Sequence, residues 1–262
     1  MGNMKTVPAV VLAGGGISGE LAAMTGASRR AMIPLAGRPM VAHVLRALRG
    51  AKCISRIALV GPEDIWPAVD SSLYDIRAPS GAGLAESLFS GLQCLEANSE
   101  TLTVTGDLPL LTPEAVDDFV SQALSSGADV NYSIIPKHDC AARFPGGKRT
   151  YVRTKEGIFT GGNCTLLRAD VIAEKEDLIR RLYQARKSIV RLAAVLGPSF
   201  VWRLAFGGLS IADVERRAAQ ILGVKAKAIV SHYPEIGFDV DKPVDLEMVR
   251  RMIEGQSTRP TG

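Results

Sequence analysis

The sequence predicts an α/β fold with a mostly parallel sheet and helices on both of its faces. Short apolar segments typical of strands alternate with helical segments through the first half of the chain, which is the pattern of parallel strands joined by helices. The 262 residues are 47% hydrophobic, enough for one large domain with a full core. We expect one domain over residues 1–254, with a helical excursion at about 171–224 and a flexible tail at 255–262.

The first half supplies the alternating elements. Strands are predicted at 9–12, 57–60 and 101–104, and helices at 40–48, 83–95 and 113–124. Thr112 stands before Pro113, as a helix N-cap stands before the first helical residue. Ligands of such sheets bind beyond the carboxyl ends of the strands, so the segments that follow residues 12 and 104 should open into one crevice.

The second half is less regular and begins with short β segments at 132–136, 151–153 and 158–159. Apolar residues at helical spacing from Leu178 to Leu196 predict an amphipathic helix that Pro198 ends, and another helix follows Ser210, its cap, as far as Gly223. We interpret these helices as a cover for the sheet or as a homodimer contact. The alternative is contact with a membrane surface through the first helix and the apolar residues 200–209.

Composition narrows the functional class. A net charge of +4 and a pI near 8.9 favour phosphorylated ligands but fall short of the basic surface of a dedicated nucleic-acid binder, so we expect no nucleic-acid partner. The 4 cysteines are widely spaced and form no C-x-x-C pair. Together with an N-terminal apolar run too short for a signal peptide or a membrane span, they predict a cytoplasmic protein.

A glycine turn directly follows the first predicted strand. Gly14, Gly15 and Gly16 place no side chain between the backbone N–H groups and a ligand. This pattern favours a nucleotide-binding loop, and the question is which nucleotide chemistry the loop serves.

The glycines at 14, 16 and 19 also have the spacing of a dinucleotide-binding turn. Such a turn should open a helix at once and be followed about 20 positions later by an acidic residue for the ribose. Residues 24–30 instead predict an irregular loop, and no acidic residue stands at that distance. The basic pair Arg29 and Arg30 could contact a 2′-phosphate, so an NADP-dependent oxidoreductase is an alternative.

The run Leu12-Ala13-Gly14-Gly15, followed after a basic loop by residues 30–40, resembles the signature of the MobA-like NTP transferase superfamily, which includes molybdenum-cofactor guanylyltransferase and cytidylyltransferases. The resemblance implies a Rossmann-like nucleotidyltransferase fold of the GT-A type. It also implies that Arg30 grips the triphosphate, where the family usually has lysine. The turn that would wrap the nucleotide consists of Leu12, Ala13, Gly14, Gly15 and Gly16. The sequence departs from the family after this turn, because the usual arginine is missing there.

Asp107 follows Gly106 at the end of a predicted strand, where a buried carboxylate without a partner would be costly. A divalent cation removes that cost, because Mg²⁺ binds one or two carboxylates together with phosphate oxygens. Asp107 could alternatively cap the next helix, but Thr112 already occupies the capping position. The resemblance favours the metal interpretation and implies that Gly106 belongs to the nucleotide site.

A second acidic segment, residues 237–246, resembles the closing motif of the family. Alignment on that motif implies that Asp241 is the second ligand of the metal, Mg²⁺ or Mn²⁺. In an extended segment Asp239 points to the same side as Asp241, so either or both could reach the ion. Asp245 is expected to cap the last helix.

Two further segments provide binding candidates. A glycine loop that opens the helix at 83–95 resembles the base-and-ribose segment of the family, which implies nucleotide contacts by Gly83 and Ser87; an ordinary turn is the alternative. Lys148, Arg149 and Asn163 fall in the acceptor half of the family and are candidates for binding the acceptor. Solvated surface charges and a strand-end hydrogen bond are the alternatives for these three residues.

These assignments predict a metal-dependent nucleotidyltransferase. Asp107, Arg30 and Asp241 would catalyse transfer of an NMP group from an NTP to a phosphorylated acceptor, with release of pyrophosphate. The base stays open, as does the acceptor, which could be a sugar phosphate, a pterin cofactor or a lipid-like alcohol phosphate. A catalytically inactive nucleotide sensor of the same fold is a further alternative.

Overall fold

The predicted α/β architecture is present in the computed structural model, which describes residues 5–96, 99–185, 197, 200, 202–203 and 208–257. The strands are β1 (Val7–Leu12), β2 (Pro34–Leu35), β3 (Arg38–Pro39), β4 (Ile54–Gly61), β5 (Ile76–Pro79), β6 (Glu100–Thr105), β7 (Val130–Pro136), β8 (Val152–Arg153), β9 (Ile158–Arg168) and β10 (Ala226–Val230). The helices are α1 (Gly19–Thr25), α2 (Met40–Gly50), α3 (Leu84–Cys94), α4 (Pro113–Ser126), α5 (Lys137–Arg143), α6 (Ala169–Ala173), α7 (Glu176–Ala185), α8 (Ile211–Leu222) and α9 (Pro243–Ser257).

One large mixed sheet organises these elements. Its strand order is β10-β7-β9-β6-β1-β4-β5, and β8 pairs with β9 beside this path. Neighbouring strands are parallel except at β9, which is antiparallel to β6, β7 and β8. The short strands β2 and β3 form a separate hairpin. Because β1 lies between β4 and β6, its carboxyl end opens at the centre of the sheet.

Strand β1 is apolar throughout because both faces of the sheet are covered. Ala9 and Val11 pack on one face with residues of α2 and α4. Val10 and Leu12 pack on the other face with residues of α3. This alternation fixes which loops follow the strand into the crevice, since successive side chains of a strand point to opposite faces.

A third group of buried side chains joins the C-terminal segment to the start of the chain. Leu21 of α1 and Leu35 of β2 lie in one cluster with Phe238, Leu246 and Val249. This cluster holds residues 238–249 beside the carboxyl ends of the central strands. It thereby brings the two acidic segments of the sequence to one place.

Two predicted elements need correction. The loop predicted at 24–30 is partly helical, because α1 already begins at Gly19, where the Ser18 side chain accepts a hydrogen bond from the N–H of Leu21. The short β segment predicted at 158–159 is the eleven-residue strand β9. Its glycines weaken the strand pattern, but a Cβ at Gly162 would collide with the Ser133 hydroxyl of the neighbouring strand.

The helical excursion is only partly described. Helices α6, α7 and α8 lie within the predicted range, and α8 is capped by Ser210 and ends at Gly223 as expected. The helix predicted from Leu178 corresponds to α7, but its continuation to Leu196, Pro198 and most of the apolar segment 200–209 lie outside the described residues. Helix α9 continues to Ser257, so the first residues of the predicted flexible tail are helical, and residues 258–262 are not described.

None of the helices in the described part of the chain combines the length and the apolar character needed to cross a bilayer.

Candidate active site

Two loops leave the centre of the sheet side by side. The backbone N–H of Ala13 donates to the carbonyl of Val60, and that of Gly106 donates to the carbonyl of Leu12. The glycine turn after β1 and the acidic loop after β6 are therefore fixed against each other, as the sequence predicted. A Cβ at Gly14 would lie 2.7 Å from the Ser80 Cβ, so this close approach requires glycine.

Ser87 organises the neighbouring glycine loop. Its hydroxyl donates to the Gly83 carbonyl at 2.8 Å and accepts from the Gly81 N–H at 3.1 Å. Gly83 is the N-cap of α3, and no side chain caps this helix end. The N-terminus of α3 thus presents backbone donors at the edge of the crevice, where an anion can bind. Ser87 is buried and supports this loop from within.

Three carboxylates meet at the crevice. Asp107, Asp239 and Asp241 each place a carboxylate oxygen within 4.8 Å of the others. The Val240 N–H donates to the Asp107 carbonyl at 3.1 Å, which holds the closing segment against the loop after β6. Both Asp239 and Asp241 reach the cluster, because alternate residues of an extended segment point to the same side.

The negative charges of these three carboxylates repel one another, and a bound cation would reduce that repulsion. Burial and the negative charges of Asp107 and Asp241 raise the pKa of Asp239 to about 7, against the opposing effect of Arg149. One oxygen of Asp107, Oδ1, is buried and has no hydrogen-bond partner among the described residues. Three convergent carboxylates with an unpartnered buried oxygen fit the oxygen ligands that Mg²⁺ and Mn²⁺ prefer.

Arg30 lies between the glycine turn and the acids. Its Nη1 pairs with Asp107 Oδ2 at 2.9 Å and also with Asp241 Oδ1, while its Nε donates to the Gly16 carbonyl at 3.0 Å. Arg30 sits in a short 3₁₀ turn that the sequence does not reveal. The structure thus brings Arg30 together with both acids with which the sequence analysis grouped it.

Arg149 lies against the acidic segment of residues 238–245. Its side chain is only 10% exposed, its Nη2 donates to the Asp239 carbonyl at 2.8 Å, and its guanidinium stacks on the Phe238 ring. Nη1 lies 3.6 Å from the Asp239 carboxylate and 3.9 Å from that of Asp245. These contacts let Arg149 position the acidic segment; its Nε has no hydrogen-bond partner among the described residues, and its assignment to acceptor binding stays a prediction.

The other two acceptor candidates lie apart. Lys148 is exposed, next to Arg149 in the loop before β8. Asn163 is half-buried in β9 and lines a cavity of about 240 Å³ together with Leu12 and Thr105. Asn163 therefore belongs to the crevice itself, close to the nucleotide turn.

Asp245 acts on the site indirectly. It is the third residue of α9, and its Oδ2 accepts hydrogen bonds from the N–H groups of Asp241 and Lys242 at 3.3 and 3.0 Å. This is the reverse half of a capping box, in which the third helical residue binds the N-cap backbone. Asp245 was predicted as the cap of this helix; it is instead the third helical residue and binds the N-cap backbone from there, and in doing so it orients Asp241, a role that its sequence spacing could have indicated.

The fold and these residues define a class of protein before any comparison. A glycine turn, an unprotected helix N-terminus and an acidic cluster meet beyond the carboxyl ends of a mostly parallel sheet, which is the arrangement of a nucleotide-binding α/β protein. A MobA-like NTP transferase domain matches residues 9–195, and the chain belongs to this family.

Similar proteins agree with this family. The bifunctional protein GlmU of Rhodospirillum rubrum is 33% identical over 127 residues, 47% of this chain and 27% of that protein. The 2-C-methyl-D-erythritol 4-phosphate cytidylyltransferase of Pelotomaculum thermopropionicum is 31% identical over 134 residues, 48% of this chain and 55% of that protein. The chain thus spans about a quarter to about half of the length of these curated relatives.

Solved structures extend the similarity over nearly the whole chain. A hypothetical transferase from Thermus thermophilus is 38% identical, with a TM-score of 0.82 over 92% of this chain and 100% of that one. A CTP complex of CMP:2-keto-3-deoxy-manno-octonic acid synthetase is 14% identical, with a TM-score of 0.61 over 96% of this chain, and shares the fold. The predicted family and the predicted fold class are confirmed.

Proposed function

We propose that this chain is a metal-dependent nucleotidyltransferase that moves an NMP group from an NTP to a phosphorylated acceptor and releases pyrophosphate. The observation that carries the proposal is the convergence of Asp107, Asp239 and Asp241 beside Arg30, which is itself bonded to the glycine turn. Family membership supports this reaction over an NADP-dependent oxidoreductase.

The chemistry asks mainly for positioning and charge neutralisation. An acceptor oxygen attacks the α-phosphorus in line, a new P–O bond forms, and the bond from the α-phosphorus to the bridging oxygen of the leaving pyrophosphate breaks. Backbone N–H groups of residues 14–16 bind the nucleotide, and Arg30 moves from the acids to the departing phosphates. An anionic acceptor needs no general base, so no histidine is required.

Asp107 and Asp241 would hold the metal, with Asp239 as a third ligand. A bound Mg²⁺ or Mn²⁺ would neutralise phosphate charge and fix the orientation of the triphosphate. Arg149 and Asp245 act as positioning residues, since Arg149 donates to the Asp239 carbonyl and Asp245 accepts from the backbone N–H groups of Asp241 and Lys242. Gly83 and the N-terminus of α3 complete the nucleotide site, and Asn163 and the exposed Lys148 are, besides Arg149, the acceptor candidates on this chain.

In our proposal a single domain carries this site. Residues 1–254 form one domain, because the main core cluster includes both Val11 of β1 and Ile236, next to the closing acids. The four cysteine side chains are free, which supports a reducing, cytoplasmic location.

Thermal shifts test the proposal directly. The pure protein is heated with ATP, GTP, CTP, UTP, NAD or NADP, each with and without Mg²⁺; the cytidylyltransferase relative makes CTP the first donor to try. At about 100 times its Kd, the right triphosphate should add about 2.7 kcal/mol, a shift of about 5–10 °C for a chain of this size, and only with Mg²⁺ present. Stabilisation by NADP without metal would overturn the proposal.

Asp107→Ala tests the acid cluster. We expect the variant to keep its fold and Tm, to lose the metal-dependent shift, and to release pyrophosphate at least about a hundredfold more slowly. Asp177→Ala, an exposed carboxylate of α7, is the matched control and should behave as wild type. Full turnover by Asp107→Ala contradicts the assignment, and wild-type NTP binding with no transfer to a panel of phosphorylated acceptors would favour the inactive sensor.

A further inference from the structure

An apolar cavity of about 450 Å³ lies between α8 and the sheet. The helix contributes Val214, Ala218 and Leu222, and the strands contribute Tyr132, Ile134 and Ala228. The helical residues are spaced four apart, so they form one face of α8. The cavity therefore separates an apolar face of α8 from an apolar face of the sheet.

Both walls of this cavity keep apolar surface exposed. No side chain of α8 is fully buried, although one face of the helix is apolar. Tyr132 is 44% exposed and Val152 is 37% exposed, and both line the cavity. Apolar surface that is concentrated in a concave site is typical of ligand binding.

Polar contacts hold α8 in place over the cavity. Glu215 accepts hydrogen bonds from the N–H of Ala228 and from Lys227 Nζ, both at 3.0 Å. At the start of the helix the Ile211 N–H donates to Glu156 at 3.0 Å. The helix is thus tied to β10 on one side and to the turn between β8 and β9 on the other, and the space between them stays open.

A second, more polar cavity adjoins the first on the side of strand β6, which the Asp107 loop follows. Tyr132 lines both cavities, and consecutive residues of β9, Gly161 and Gly162, line one each. The second cavity measures about 240 Å³ and is also lined by Thr105 and Asn163. The Thr105 hydroxyl is buried and has no hydrogen-bond partner among the described residues, so its capacity to form a hydrogen bond is unused.

We propose that the acceptor is amphipathic and that its apolar chain fills the cavity under α8. Its polar end lies against Thr105, two residues before Asp107 in the sequence, and against Asn163 of the neighbouring strand β9. This inference rests on the proposed function, whose acceptor it specifies. Helix α8 and strand β10 lie beyond residues 9–195, the part that the family domain matches, whereas the strands β7, β8 and β9 that also line the cavity lie within it.

A series of alkyl phosphates tests the apolar chain. Ethyl, butyl, hexyl and octyl phosphate are titrated by calorimetry into the full-length protein with Mg²⁺, each below its micelle concentration. We expect the Kd to fall about fourfold for each added methylene, which corresponds to about 0.8 kcal/mol, until the cavity is full. Equal Kd values along the series would overturn the inference.

Variants locate the binding to the cavity. Ala218→Trp fills it from the helix and should weaken octyl phosphate binding at least about tenfold while leaving ethyl phosphate unchanged. Ala212→Trp, at an exposed position of the same helix, is the matched control. Ala226→Leu fills the cavity from the sheet and replaces the first variant if that protein does not fold.

The outcomes separate this inference from the proposed function. The NTP thermal shift with Mg²⁺ should be the same in wild type and in these variants. Its absence from wild type would refute the nucleotidyltransferase proposal, and with it the role of the cavity as an acceptor site, whatever the alkyl series shows. A normal NTP shift without dependence on alkyl length would refute the amphipathic acceptor alone. A change of oligomeric state in Ala218→Trp, with no effect on octyl phosphate, would assign the cavity to a second copy of the chain and contradict our proposal.

Discussion

At the scale of single residues, Arg30 has two competing partners. Its Nη1 pairs with Asp107 and Asp241, the two carboxylates that would hold the metal. The same guanidinium also contacts the glycine turn, because its Nε donates to the Gly16 carbonyl. We infer that a triphosphate draws Arg30 away from the acids and so prepares them for the metal, which couples the two binding events.

Arg30→Gln separates these two roles. Loss of the guanidinium should tighten Mn²⁺ binding in the absence of nucleotide by about tenfold, because a competing cation is removed from the carboxylates, and should weaken NTP binding. Electron paramagnetic resonance of free Mn²⁺ measures the first effect. Arg30→Lys keeps the charge and should change Mn²⁺ binding little. An unchanged Mn²⁺ affinity in Arg30→Gln would show that Arg30 does not compete with the metal.

Single residues also show where sequence reasoning stops. The sequence grouped Asp107, Asp241 and Arg30 because Asp107 follows a strand and the other two stand within recognisable motifs, and the structure brings the three side chains together. The role of Arg149 could not be predicted, since a cluster of basic residues does not reveal which of them turns inward. That choice depends on the loop around Gly147, where a Cβ would lie only 3.2 Å from the Phe238 ring on which Arg149 stacks.

At the scale of elements, α8 depends on its capping box. The Ser210 N–H and hydroxyl donate to the Asp213 carboxylate and lower its pKa from 3.8 to about 2. Because the folded pKa lies below the ordinary value, the carboxylate stabilises the helix above pH 4, and this stabilisation is lost as the pH falls towards 2. The expectation is that α8 frays on acidification before α4 does, because the N-cap of α4, Thr112, does not titrate.

Hydrogen-exchange protection of the α8 amides at pH 5 and pH 3 measures this effect, with the amides of α4 as an internal reference. In Asp213→Asn the protection of α8 should be low at both pH values. Ser210→Ala should lower it about fivefold at pH 5, the equivalent of ~1 kcal/mol. Parallel loss of protection in α4 and α8 would mean that the capping box has no separate contribution.

The sequence predicted the elements correctly where a cap residue and the apolar periodicity indicate the same helix, as in α4 and α8. It predicted too short a strand where glycines interrupt the apolar pattern. Strand β9 contains Gly161 and Gly162, which interrupt the β pattern, yet their missing side chains make room for Tyr132 and Ser133 of β7. The length of this strand is set by its neighbours in the sheet. The sequence shows where the glycines are, but it does not show which side chains of the neighbouring strand lie against them.

At the scale of the whole molecule, the acidic cluster is assembled by tertiary packing. Asp107 belongs to the main sheet, whereas Asp239 and Asp241 belong to a segment that a separate apolar cluster holds in place. Alternation of strands and helices predicts the layers of the sheet. It does not predict that the chain returns after β10 to place its last helix against α1.

Leu246→Ala tests whether that packing sets the geometry of the site. Leu246 and Leu48 are both fully buried, the first in the C-terminal cluster and the second in the main core. Each substitution by alanine should lower the free energy of unfolding by about 2–5 kcal/mol. Only Leu246→Ala should also weaken Mn²⁺ binding several-fold, because α9 carries the Asp245 carboxylate that orients Asp241. Equal Mn²⁺ affinities in the two variants would mean that the acids keep their geometry without this cluster.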